Sequence, residues 1–170
     1  MNPPLLVRAA TTADAALLVD HVRRMTSEPV RTGTMDPDEV RTVDEMRVLI
    51  ETRVTAPNST WLLAVDGFDM LLGEASLHGY PRRAMRHTAV LGISMRAEAR
   101  RRGVADRLVS ALIAWASTAG VTRIELHVLA RNTIARRLYE KHGFVIEGER
   151  RRTVRANDEY LDDVVMALLL

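Results

Sequence analysis

Residues 89–116 read AVLGISMRAEARRRGVADRLVSALIAWA, and three kinds of segment follow one another within them. Ala89 to Met95 is an apolar run of strand length. Val104 to Ala116 sets Leu108, Leu112 and Trp115 on one stripe of a helix ending near Gly120. Between the two lies the basic turn Arg100-Arg101-Arg102-Gly103-Val104-Ala105. A strand, a glycine turn and a helix start make a phosphate-binding arrangement. The first turn of a helix offers main-chain N–H groups without intrahelical partners, at the positive end of the dipole. Gly103 has no side chain where an anion must come close, and three guanidinium groups add charge and forked donors. A solvated arginine run is the plainer reading of such a cluster taken alone.

A second block tips the balance toward phosphate: Asn132-Thr-Ile-Ala-Arg-Arg-Leu-Tyr139-Glu-Lys-His-Gly143-Phe144. Arg100-x-x-Gly103-x-Ala105 resembles the Gln/Arg-x-x-Gly-x-Gly/Ala signature of the GNAT acyl-CoA N-acyltransferases, and the second block resembles that family's second cofactor segment. The blocks stand in the family's order and at similar spacing. The resemblance runs from about residue 5 to the C-terminus. It is strongest over residues 89–150 and weaker before residue 60.

The rest of the chain reads as elements in series. Leu5 to Arg8 is a short strand. Thr12 opens a helix with Ala15, Leu18, Val22 and Met25 near helical spacing. Ser27 to Pro37 is a loop. Thr42-x-x-Glu45 has the form of a capping box ahead of Met46, Leu49 and Ile50, and Pro57 closes that helix. Trp61 to Val65 and Met70 to His78 form a hairpin across Asp66-Gly67, and Gly79 to Arg86 is a loop. Gly92, inside the strand Ala89 to Met95, points to a bulge or a close backbone approach. Arg123 to Leu129 is a strand and Thr133 to His142 a helix stopped at Gly143. Phe144 to Arg152 and Glu159 to Leu168 make a final hairpin across Ala156-Asn157-Asp158. The order β-αα-βββ-α-β-α-ββ predicts an α/β chain with one mixed sheet and helices on its faces. The resemblance implies the GNAT fold itself, a mostly antiparallel sheet with splayed strands.

Composition sets bounds. The 170 residues are 47% hydrophobic and 27% charged, as expected of one globular domain spanning residues 1–170. No apolar run approaches the roughly 18–20 residues of a membrane span, and the N-terminal stretch lacks the layout of a secretion signal. With no cysteine, neither a disulfide framework nor a thiol nucleophile is available. A cytoplasmic location is expected. The net charge of +2 and an aromatic content of 4% argue against a nucleic-acid partner. The histidines show no metal-ligand spacing, so no metal is expected.

The resemblance assigns roles by position. Acetyl-CoA would serve as co-substrate, its pyrophosphate held at Arg100, Arg101, Arg102, Gly103, Val104 and Ala105. Its peptide-like arm would pair with the strand at Ile93, Ser94 and Met95, where the neighbouring strand has splayed away. Asn132 reads as an N-cap, and in similar proteins that residue also bonds the arm. Tyr139 stands two turns further along the same helix face and matches the family's usual acid. Its phenol would protonate or stabilise the departing thiolate, although a tyrosine packed by Leu138 and Phe144 is the plain alternative.

The amine must lose a proton, and the position where some members carry an acid is Val90. Glu74, His78 and Glu125, on strands, and Glu28, in the loop after the first helix, are the candidates for contact with the acceptor; a surface or structural role is open for each. The tail from Glu147 to Met166 resembles the subgroup that acts on amino acids, polyamines or ribosomal-protein N-termini. The expectation is acetyl transfer to a small-molecule primary amine by a homodimer. Acetylation of a protein N-terminus and non-catalytic CoA binding stand as alternatives.

Overall fold

A computed structural model describes residues 5–28, 37–156 and 158–170. Seven strands form one sheet: β1 (Leu6–Ala9), β2 (Thr60–Val65), β3 (Leu71–Gly79), β4 (Thr88–Met95), β5 (Arg123–Leu129), β6 (Val145–Ala156) and β7 (Glu159–Leu169). Their order across the sheet is β1-β2-β3-β4-β5-β7-β6. Every neighbouring pair is antiparallel except β4 and β5. Four helices cover it: α1 (Ala15–Thr26), α2 (Val43–Thr55), α3 (Val104–Thr118) and α4 (Thr133–Lys141). The expected element order is the observed one, and the architecture is the mixed α/β fold that the resemblance implied.

Local chemistry explains the boundaries. All six residues of β2 are buried, as a strand covered on both faces requires. At the start of α2, the Thr42 hydroxyl accepts from the Glu45 N–H at 3.3 Å and the Glu45 carboxylate accepts from the Thr42 N–H at 2.8 Å, so the capping box is formed. The Asp66 carboxylate accepts from the N–H groups of Phe68 and Met70 and turns β2 into β3. At the end of α4, the N–H of Phe144 bonds the Tyr139 carbonyl and that of Gly143 the Glu140 carbonyl. These are the paired bonds of a Schellman stop, and the accompanying apolar contact is made by the Tyr139 and Phe144 rings, 5.8 Å apart.

Two cores flank the sheet. On one face α1 and α2 bury Leu18, Val19, Met46 and Ile50 against Trp61, Leu63 and Leu71. On the other, α3 buries Val104, Leu108, Leu112 and Ala116 against Leu62, Leu77, Leu91 and Leu126, with Tyr139 of α4 in the same cluster.

The feature that positions the site is a wedge in the middle of the sheet. Strand β4 pairs with β3 without interruption from Ala89 to Met95. It pairs with β5 only at Thr88, Val90 and the residue between them. Beyond Val90 the two strands part. The bulge expected at Gly92 is absent, because register there is continuous. A Cβ at that position would meet only Ser76 Oγ, at 3.5 Å, so no close approach requires the glycine. The breaks in register fall instead in β2 at Ala64/Val65 and in β6. Strand β6 also runs on to Ala156, past the expected Arg152; the expected turn residue Asn157 lies outside the described residues, as does most of the loop from Ser27 to Pro37.

Candidate active site

Parallel strands that part expose the main-chain groups of each edge. Here the exposed stretch of β4 is Leu91 to Met95, the segment holding Ile93, Ser94 and Met95. Ile93 and Met95 pack toward the α3 core. The Ser94 side chain turns the other way, to His21 and Glu74, so Ser94 can meet a ligand in the wedge only through its main chain.

Strand β4 leads into the arginine turn. Arg101 has φ +61° and Gly103 φ +76°, both in the left-handed region, and such reversals aim successive N–H groups into one concavity. Gly103 is the N-cap of α3 and makes no side-chain capping bond; a Cβ on it would find no atom within 4 Å. The glycine is therefore demanded by conformation, not by a neighbour. Arg101 and Arg102 are exposed, while Val104 is buried and anchors the helix. Arg100 is committed elsewhere. Its guanidinium bonds the Glu28 carboxylate and the Met95 carbonyl, tying the end of α1 to the end of β4. The same contact occupies Glu28, which was a candidate for the acceptor.

Across the wedge, Asn132 caps α4 by accepting from the Ala135 N–H at 3.2 Å. Tyr139 is 5% exposed, and its hydroxyl makes no hydrogen bond among the described residues. Burial pushes its pKa up to about 12, so the phenol keeps its proton at neutral pH.

The acceptor candidates fall at opposite ends of the wedge. His78 and Glu125 both pair with Val90, at the closed end. Glu125 is bonded there by the Tyr80 hydroxyl at 2.7 Å and pairs with Arg123. Glu74 lies at the open end, beside Ser94, within a polar chain inside the α1/α2 core. One Glu74 oxygen accepts from the Ser94 hydroxyl at 2.6 Å and the other from the Trp61 indole N–H at 2.6 Å. Ser94 Oγ is 2.8 Å from His21 Nε2. Burial pushes Glu74 above the usual carboxylate range, against the pull of these hydrogen bonds and of Arg53. Burial, helped by the charge of Arg96, holds the His21 imidazole down at about 4. It is neutral at pH 7, and its Nε2–H donates to Ser94 when Ser94 donates to Glu74.

Sequence reasoning passed over His21, Arg53 and Trp61 as site residues. The signal was available for two of them. His21 follows Leu18 by three residues and Arg53 follows Ile50 by three, so each puts a polar group on a helix's apolar stripe. Among the described residues, no group of three or more His, Asp or Glu could hold a metal ion, and no helix is long and apolar enough to cross a membrane.

Known proteins share this fold. The L-amino acid N-acetyltransferase AaaT of Escherichia coli K12 is 39% identical over 88 residues, which is 51% of this chain and about half, 53%, of that relative's length. The structure of a GNAT-family acetyltransferase from Streptococcus pneumoniae superposes with a TM-score of 0.93 at 30% identity, covering 98% of this chain and 100% of the other. YncA of Salmonella typhimurium, solved with its cofactor acetyl-CoA, gives a TM-score of 0.87 over 98% of this chain and 94% of its own; at 19% identity this likeness speaks for the fold alone. Residues 23–144 match the sequence profile of the Acetyltransferase (GNAT) family. With most of its length covered by that profile and nearly all of it by a 30%-identical relative, this chain belongs to the GNAT acetyltransferase family.

Proposed function

We propose that the protein transfers an acetyl group from acetyl-CoA to the primary amine of a small molecule, both bound at once, with acetyl-CoA in the wedge between β4 and β5. The observation that carries this reading is the coincidence of two features. Strand β4 loses its neighbour beyond Val90, and it leads directly into a turn whose left-handed residues Arg101 and Gly103 precede an uncapped helix. An elongated molecule with amides in its arm and a diphosphate at its end has the complementary shape and chemistry. When bound, the thioester supplies an acyl group activated toward amines.

The chain's own residues divide the work. Main-chain N–H groups from Arg101 to Asp106 hold the diphosphate, and Arg101 and Arg102 add charge from solvent. The free edge at Ile93 to Met95 aligns the arm and offers N–H groups to the carbonyl oxygen as it gains negative charge. Asn132 fixes the start of α4, and the Schellman stop fixes its end; together they hold Tyr139. As the amine nitrogen bonds the acyl carbon and the C–S bond breaks, the amine's proton passes to solvent; the Tyr139 phenol, still protonated at neutral pH, gives its proton to the departing sulfur and regains one from solvent. No nucleophilic side chain is required, because proximity and orientation supply the main acceleration.

A cytoplasmic, homodimeric state goes with this reading. The edge strand β6 leaves Val145 and Ile146 exposed, a surface that a second copy would cover; light scattering on the purified protein measures the state. The enzymatic reading is tested by thiol release. Acetyl-CoA with a panel of primary amines should give free thiol in proportion to enzyme. Release no faster than without enzyme, for every amine, contradicts it.

A further inference from the structure

A cavity of about 160 Å³ opens between α1, α2 and the sheet, its polar lining made by Arg41, Arg53, Trp61, Glu74 and Ser76. Its floor is Gly92 and Ile93, part of the same β4 segment whose edge is free in the wedge. The missing side chain of Gly92 leaves room there, since a Cβ would be in ordinary contact with Ser76 Oγ. The cavity is smaller than the roughly 300–1,000 Å³ of sites for drug-sized ligands, so its occupant is small.

The charges around it are unbalanced in a specific way. The Arg53 guanidinium lies 4.8 Å from the centroid of the Trp61 ring and gives one hydrogen bond, to Ser76 Oγ at 3.2 Å. Its Nε is buried without a partner. Neither Arg53 nor Arg41 makes an ion pair among the described residues. Two guanidinium groups thus face one small space that holds a single carboxylate, Glu74, whose charge acts on Arg53 without a direct ion pair. Glu74, the carboxylate in the same cavity, is held by Trp61 and Ser94.

We infer that this cavity selects an acceptor carrying a carboxylate beside its amine, an α-amino acid, with the carboxylate on Arg53 and Arg41 and the amine on Glu74. This rests on the acetyl-transfer reading and narrows it. Ser76, which anchors Arg53, and Glu74 are two residues apart on one face of β3, about 7 Å along the strand. An amine and a carboxylate on one carbon bridge such a span with a hydrogen bond at each end. The planar guanidinium fork matches a carboxylate, whereas a second ammonium group, as in a polyamine, would be repelled there. Val22, Met46 and Leu49 leave the remaining wall apolar, suited to an aliphatic side chain.

The test compares matched pairs: leucine with isopentylamine, and methionine with 3-(methylthio)propylamine, each with acetyl-CoA and thiol detection. The inference expects kcat/KM at least about tenfold higher for the amino acids. Arg53→Gln should raise KM for the amino acids by about tenfold or more and leave the decarboxylated amines within about threefold, erasing the preference. Arg41→Gln, at an exposed position that does not endanger folding, should do the same to a smaller degree. Equal or better turnover of the decarboxylated amines overturns the inference and leaves acetyl transfer standing. So does a preference that survives in folded Arg53→Gln and in Arg41→Gln. No thiol release with any amine overturns both readings.

Discussion

At the scale of single residues, burial decides protonation. Tyr139 is buried with a hydroxyl that has no partner among the described residues, and its pKa is pushed up to about 12. Tyr139→Phe should lower kcat by about 10²-fold while changing the dissociation constant for acetyl-CoA by less than about threefold. Stopped thiol release and calorimetry measure the two, and unchanged kcat removes Tyr139 as proton donor. His21 sets a pH dependence of stability. Its pKa falls from 6.5 to about 4 on folding, so between these values the unfolded chain binds the extra proton. Stability is therefore full above about pH 6.5 and declines as pH falls toward 4, by about 3 kcal/mol if the whole shift is expressed. Asp14, bonded by Arg8 and held at about 2, adds a second loss from 3.8 downward. Urea unfolding of the native protein and of His21→Gln across pH 4–7 checks this. The variant should be flatter over that range, and parallel curves contradict the assignment. His21 was legible only as a polar residue on an apolar stripe. What it touches, Ser94 of a strand 73 residues away, is set by tertiary packing that no local pattern encodes.

At the scale of elements, the sequence was most legible where chemistry is local. The Thr42–Glu45 box, the Asp66 turn and the stop at Gly143 each rest on residues within five positions of one another. Strand ends were less legible, because pairing is decided across the sheet; β6 continues past Arg152 because β7 pairs with it as far as Ala156. Gly92 misled for the same reason. A glycine in a strand signals a bulge when its neighbours are unknown, but here the space it leaves belongs to a cavity. The turn before α3 carries a direct prediction. Gly103→Val forces a β-branched residue to φ +76°, which costs roughly 1–2 kcal/mol of stability, and sets methyl groups where the diphosphate would lie. Acetyl-CoA affinity should fall at least about tenfold in calorimetry. Gly120, also left-handed at φ +72° with no atom within 4 Å of a Cβ, is the control. Gly120→Val should lose similar stability and keep its affinity. Equal affinity losses in both variants would trace the effect to strain alone.

At the scale of the whole molecule, one sheet borders both a wedge and a cavity because its centre is opened without being cut. Strand β3 holds β4 along its length, β7 holds β5, and separate cores back the two faces. The wedge between β4 and β5 is thus held open by packing on both sides. This was legible only through the family resemblance, since the parting of strands leaves no local trace in their apolar patterns. A ligand that binds only the folded chain should raise its melting temperature, with about 2.7 kcal/mol of stabilisation at a hundredfold excess over the dissociation constant; acetyl-CoA should do so, and no shift at saturating concentration contradicts binding. The most direct measurement is a crystal structure of the protein with acetyl-CoA. The account predicts the diphosphate accepting hydrogen bonds from main-chain N–H groups between Arg101 and Asp106, with the arm along Ile93 to Met95. Acetyl-CoA bound elsewhere, with that turn making no contact to its phosphates, would contradict it.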